Sequence, residues 1–184
     1  MRSSHCSPKR GAPASLGELV DEYLSQRSCT SARGRFKSLP TLHETVRLAA
    51  LSLDERGQCE PHQRRVGRVT LGQLEEALRP LVGEIARCAD FESLYNLVWT
   101  HRIPGVGPLT VYDVSLRIAT KLGFGPTRVY LHTGTAAGAK KLGVRHTGPP
   151  LSKAELPTQL HRLTCEQIED FLCVYKSRLR PNSL

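Results

Sequence analysis

The sequence predicts an all-α fold of about seven helices packed around a helix-hairpin-helix element. Three observations support this. Five Ser or Thr residues are followed three positions later by Glu or Gln, which is typical of helix starts. Apolar residues recur at helical spacing after most of these pairs, and no run alternates convincingly with the two-residue period of a strand.

The predicted helices can be placed in order along the chain. The five capping pairs are Ser15/Glu18, Thr41/Glu44, Thr70/Gln73, Ser152/Glu155 and Thr164/Gln167. Apolar stripes occupy residues 16–24, 42–53, 71–89, 91–98, 111–122 and 168–179. Pro80 interrupts the third stripe, because proline breaks a helix or begins a new one. The segments between these stripes, residues 27–40, 54–69 and 144–150, are expected to be linkers.

The length of 184 residues suits one domain. We expect a flexible basic tail over residues 1–14 and a single α-helical domain over residues 15–184. The polar, basic start has no apolar core of a signal peptide, and no stretch is apolar enough to span a membrane. We therefore expect a monomer without membrane contact in the cytoplasm or associated with the nucleoid.

The six cysteines show no C-x-x-C spacing, so free thiols are expected. Cys59 and His62 form only half of a zinc site, and we predict neither a metal nor a cofactor. The formal net charge of +9 favours an anionic partner. Residues 114–154 contain no Asp or Glu but seven cations, which are Arg117, Lys121, Arg128, Lys140, Lys141, Arg145 and Lys153. These could neutralise phosphates, or they could simply form a solvated face.

A short motif, Ile103-Pro104-Gly105-Val106-Gly107-Pro108, separates two predicted helices. The glycines allow a sharp turn and leave backbone amides unpaired where the helix dipole favours an anion. Val106 is expected to point into the core. The sequence therefore predicts either a phosphate-binding hairpin or an ordinary turn between two helices.

Residues 103–107 with Thr110 resemble the helix-hairpin-helix signature of DNA repair glycosylases, and the resemblance extends over about residues 91–143. It implies an all-helical fold, a hairpin that grips the DNA backbone and a pocket for a flipped base between two helical subdomains. The DNA-contacting residues would then be Pro104, Gly105, Val106, Gly107, Thr110, Arg117, Lys121, Arg128, Lys140, Lys141 and Arg145.

The chain departs from this family at two places. Leu109 stands where strand-cleaving members have the lysine that forms a Schiff base, which excludes lyase chemistry at that position. His132 and Thr133 stand where the family has an aspartate at a helix start. The remaining catalytic candidates are Asp113, His132 and Asp170. Since Glu169 and Asp170 are adjacent on a helix, at most one is expected to enter a cleft.

Tyr130, Trp99 and Tyr112 are candidates for stacking on an extruded base, or else core residues. Two function classes follow. The first is a monofunctional DNA glycosylase that hydrolyses the N-glycosidic bond of a damaged or modified base, in repair or against foreign DNA. The second is a non-catalytic module that binds the DNA backbone, and an RNA-binding or nuclease-accessory role is a further alternative.

Overall fold

The computed structural model describes residues 14–26, 34–54, 56–144, 148 and 150–180. These residues fold into α-helices without a β-sheet, which confirms the all-α class. The helices are α1 Leu16–Gln26, α2 Gly34–Ser38, α3 Leu42–Ala50, α4 Arg68–Leu78, α5 Val82–Arg87, α6 Phe91–Thr100, α7 Pro108–Leu122, α8 Thr133–Lys141 and α9 Cys165–Val174. The predicted tail lies outside the described residues, except for Ala14.

Three of the five capping pairs mark α-helix starts. At α1, the Ser15 amide donates to Glu18 Oε2 at 2.7 Å and the Glu18 amide donates to Ser15 Oγ at 3.3 Å. A complete capping box of the same kind, Thr164 with Gln167, begins α9. Thr41 caps α3 by accepting from the amide of Glu44. These side chains satisfy helix amides that have no partner within the helix.

The other two pairs do not begin α-helices, so their prediction as α-helix starts is wrong. Thr70 and Gln73 lie inside α4, which begins at Arg68 after Gly67. Ser152 and Glu155 cap a three-residue 3-10 turn, Lys153–Glu155, and no α-helix follows it directly. The break expected at Pro80 is confirmed, since the 3-10 turn Arg79–Leu81 separates α4 from α5.

Two helices were missed. Helix α2 lies inside the expected linker 27–40, of which residues 27–33 lie outside the described part. Helix α8 carries two glycines and few large apolar residues, so its sequence has no clear amphipathic stripe. A Cβ built on Gly138 of α8 would lie 2.2 Å from the carbonyl oxygen of Leu172 in α9. The lack of a side chain at Gly138 therefore lets the two helix backbones approach closely.

The buried apolar side chains form two clusters. The first is built mainly from α2 to α7 and includes Phe36, Leu74, Leu94 and Ile118. The second joins α1, α9 and the segment before α9, with Leu16, Val20, Phe171 and Leu172 at its centre, and Ala139 of α8 also belongs to it. No described helix is long and apolar enough to cross a membrane.

Gly138→Ala should destabilise the fold by about 3 kcal/mol, because the added methyl group forces α8 away from α9. Gly72→Ala is the matched control, since it adds the same methyl group in α4 where no atom lies within 4 Å. That control should raise stability by about 0.5–1 kcal/mol. Urea denaturation measures both changes, and equal unfolding free energies for the two variants would contradict the α8–α9 contact.

Candidate functional site

The predicted hairpin connects α6 to α7, which pack against each other. Gly105 is exposed and has a φ of +90°, a left-handed conformation that favours glycine. The Val106 amide donates to the Ile103 carbonyl at 3.0 Å and closes the turn. Val106 is 5% exposed and its amide is bonded to Ile103, so its predicted role as the apolar anchor is confirmed and its assignment as a DNA contact is wrong.

The turn leaves two amides unpaired within the described part of the chain. No described group accepts a hydrogen bond from the amide of Gly105 or Gly107. Gly107 precedes α7 as its N-cap residue, and Pro108 takes the first helical position, where a missing N–H costs nothing. Because the positive end of the α7 dipole lies here, the exposed turn is a suitable contact for an anionic group.

Gln63 connects this turn to a carboxylate. The hydroxyl of Thr110, in the first turn of α7, donates to Gln63 Oε1 at 2.8 Å. Gln63 Nε2 in turn donates to Asp113 Oδ2 at 2.5 Å. An ionised carboxylate only accepts hydrogen bonds, so Asp113 fixes the amide with its NH₂ group toward Oδ2, and the Thr110 hydroxyl then donates to the amide oxygen. Nothing in the sequence around Gln63 indicated this role.

A cleft of about 340 Å³ runs between α7 and α9. Its lining includes Glu60, Leu109, Tyr112, Asp113, Glu169 and Asp170. Leu109 lies two residues after Gly107, so the cleft begins in the first turn of the hairpin helix. Its lining holds four carboxylates against one guanidinium, that of Arg117. The cleft therefore favours a positive charge over a negative one.

The structure brings two of the three catalytic candidates together. Asp113 and Asp170 line the same cleft from α7 and α9, and Asp170 accepts a hydrogen bond from the Tyr23 hydroxyl at 3.0 Å. Glu169 lines it as well, so the expectation that at most one of Glu169 and Asp170 enters a cleft is wrong. The cleft lies along one side of α9, so the two adjacent residues Glu169 and Asp170 both line it.

The third candidate, His132, lies outside this cleft. It is the N-cap residue of α8, is 8% exposed, and its ring centroid lies 5.0 Å from that of Tyr112. It lines a second cavity of about 150 Å³ together with Tyr95, Pro108 and Tyr130. Neither ring nitrogen has a hydrogen-bond partner among the described residues. Burial lowers the pKa of His132, and the nearby Asp113 carboxylate only partly opposes this shift, so the ring is neutral at pH 7.

The carboxylate-free tract does not form one cationic surface. Arg117 is 4% exposed, forms an ion pair with Glu60 at 2.7 Å and donates to Ser52 Oγ, so its assignment as a DNA contact is wrong. The Lys121 ammonium is half-buried and donates to the carbonyls of Lys37 and Leu39.

The other cations of the tract differ in exposure. Arg128, Lys140 and Lys141 are exposed, and Arg128 donates to the Pro150 carbonyl at 3.3 Å. Lys153 donates to the carbonyls of His161 and Leu163. Arg145 lies outside the described residues. Among the described cations of the tract, the exposed Arg128, Lys140 and Lys141 therefore remain candidates for phosphate contacts, and the predicted contact of Arg145 stays a prediction.

Three other site assignments need correction. Thr110 is 4% exposed and directed at Gln63, so it does not face solvent. Tyr112 and Tyr130 are 1% and 6% exposed and pack against each other in the first core cluster, so they do not form an open stacking surface. Trp99 is half-buried, and the Arg102 guanidinium lies 3.7 Å from its ring centroid.

The described thiols are unpaired. Cys59 is half-buried, and its thiol lies 3.7 Å from the carbonyl oxygen of Glu60. Among the described residues, no group of three or more His, Cys, Asp or Glu side chains is arranged to hold a metal ion.

No protein-family model, curated protein or solved structure matches this chain. The resemblance of residues 103–110 to the glycosylase hairpin therefore stays a prediction from the sequence.

Arg117→Met should lower the free energy of unfolding by about 3 kcal/mol, because it removes the buried guanidinium that pairs with the Glu60 carboxylate. This is the lower end of the range for a broken buried pair, since the Glu60 side chain is 23% exposed. Urea denaturation measures the change. An unchanged stability would contradict the structural role of Arg117.

His132 should also make stability depend on pH. Its pKa in the folded state is depressed below the unfolded value near 6.5, so the unfolded chain binds a proton that the folded chain excludes. The resulting stability is complete above about pH 6.5 and is lost as the pH falls toward the lower folded pKa. His132→Leu should remove this dependence. Unfolding free energies measured between about pH 7.5 and 5 test it, and parallel curves for the two proteins would contradict it.

Proposed function

We propose that this chain binds the DNA backbone through the Gly105–Gly107 turn and hydrolyses the N-glycosidic bond of a damaged or modified base in the cleft between α7 and α9. One observation carries the proposal. The same helix, α7, has an exposed turn with available amides at its start and lines a carboxylate-rich cleft from its first turn onward.

The turn supplies a contact that does not depend on base sequence. Backbone amides at a helix start bind phosphate oxygens, which are present in every nucleotide. Gly107 has open space where a side chain would project, so a phosphodiester can come close to its amide. The exposed Arg128, Lys140 and Lys141 would add long-range attraction.

The cleft supplies the chemistry that glycosidic hydrolysis needs. As the bond from the sugar to the base breaks, positive charge develops on the sugar. An ionised carboxylate stabilises that charge, or takes a proton from the attacking water. Asp113 is the best candidate, because Gln63 Nε2 donates a hydrogen bond to its carboxylate and α7 fixes its distance from the turn. Asp170 and Glu169 face the same space from α9.

The turn favours an anion and the cleft favours a cation, so the two would contact different parts of the nucleotide. The cleft repels phosphates, so the backbone would stay at the hairpin while one sugar and its base turn inward. No covalent Schiff base is part of this proposal, since Leu109 has no amine. His132 does not line this cleft and is assigned no step in the hydrolysis.

A non-catalytic DNA-binding module is the second candidate. It is favoured by the burial of Tyr112 and Tyr130, which leaves the cleft without an exposed ring to stack on an extruded base. In that case the turn would bind the backbone in the same way, and the cleft would have no chemical role.

Duplexes that each carry one altered base test the enzymatic proposal. After incubation and alkali treatment, we expect strand breaks at one or more altered sites. Asp113→Asn should reduce the single-turnover rate about 10²- to 10⁴-fold, as is usual when a positioned acid-base group is lost. Glu166→Gln is the matched control, because Glu166 is on α9 but is not among the residues that line the cleft. A broad panel without breaks, with DNA binding retained, would favour the module.

Gly107→Ala tests the hairpin contact. Its φ of −91° suits any residue and the added methyl group meets no atom within 4 Å, so the fold should be unaffected. The methyl group would still hinder the approach of a phosphate, and we expect affinity to fall about tenfold, or ~1.4 kcal/mol, for every sequence alike. Gly125→Ala, at another open position, is the control. Equal DNA affinity of both variants and the wild type would show that the turn is not the contact.

A further inference from the structure

The segment directly beside the exposed turn comes from an earlier part of the chain. At one end of this segment, Gln63 bonds to Thr110 and Asp113 of α7. At the other end, a Cβ built on Gly105 would lie 3.5 Å from Thr70 Cγ2. Residues 63–70 therefore run along the hairpin, from the second turn of α7 back to the glycine turn.

Three exposed arginines, Arg64, Arg65 and Arg68, lie between these two contacts. The chain contains no Asp or Glu between Glu60 and Glu75, so no neighbour in sequence neutralises them. None of the three forms an ion pair with a described carboxylate. Arg64 donates through Nε to the Cys59 carbonyl at 3.4 Å, and both terminal guanidinium nitrogens remain available.

The local backbone adds to this positive field. Helix α4 begins at Arg68, directly after Gly67, and has no side-chain cap. Thr70, in its first turn, is the residue that lies beside Gly105. The start of α4 therefore lies beside the glycine turn that precedes α7, and Arg68 is in this first turn of α4, where the helix dipole is positive.

We propose that residues 64–68 form a second phosphate-contacting element, which binds the nucleic-acid backbone next to the one held by the Gly105–Gly107 turn. The proposal rests on the DNA binding proposed above and adds the residues that supply its charge. A guanidinium suits this role, because it donates two parallel hydrogen bonds to one phosphate and stays charged at every relevant pH. Backbone contacts of this kind carry no base specificity.

The inference is tested by alanine substitution of Arg64, Arg65 and Arg68, singly and together. Binding to an unmodified duplex is measured between about 50 and 200 mM salt. We expect the slope of log affinity against log salt to become shallower by about 1 for each arginine removed. The triple lysine variant should keep most of the slope, because it keeps the charge.

Arg87→Ala is the matched control. Arg87 is also exposed, but it ends α5 near Asp90, at the end of α6 that is remote from the hairpin. Removing it should leave the salt slope as in the wild type. Unfolding midpoints check that the alanine variants are folded. If the triple variant is unfolded, the salt slopes of the three single variants decide the test.

The outcomes separate the two proposals. If the arginine variants bind DNA like the wild type while Gly107→Ala binds weakly, the hairpin holds DNA without this segment and the inference is wrong. If the wild type shows no DNA binding at about 50 mM salt, the proposed function is wrong and the inference falls with it. Loss of slope in the arginine variants alone supports the segment and argues against the turn.

Discussion

The burial of α7 is the constraint on which the rest of the structure depends. Nine of its fifteen residues are buried, including the polar Thr110, Ser115 and Arg117. A helix enclosed to this extent cannot rotate or slide without exposing apolar surface or breaking the Arg117–Glu60 pair. The position of α7 thus sets the direction of the glycine turn before it and of the carboxylate Asp113 within it.

Buried polar groups link the segment before α4 to this helix. Gln63 and Glu60 come from a stretch with little regular structure, yet each bonds to a side chain of α7. Such contacts contribute to stability because an unpaired polar group in a protein interior is costly. They also place Arg64, Arg65 and Arg68 beside the hairpin, although nearly forty residues of chain separate them from it.

The sequence predicted the fold better than the site. Capping pairs and apolar stripes are local signals, and they located seven of the helices and the break at Pro80. The close packing of α8 on α9 depends on Gly138 meeting a backbone carbonyl, which only the three-dimensional structure reveals. The number of charges along the chain led to the wrong prediction that Arg117 contacts DNA, because such a count does not distinguish a buried cation from an exposed one. The sequence does carry a signal for Arg64, Arg65 and Arg68, since residues 61–74 contain no Asp or Glu, but this run is much shorter than the carboxylate-free tract 114–154.

The contact between Gly138 and Leu172 bears on how the two sides of the cleft are held. Helix α8 is seated on α9 through main-chain atoms, and these have no rotamers to exchange. Glu169 and Asp170 thus project from a closely packed pair of helices into the cleft that the largely buried α7 also lines. Acidic groups arranged in this way are already in position before any ligand arrives, so an incoming molecule would spend little of its binding energy on ordering them.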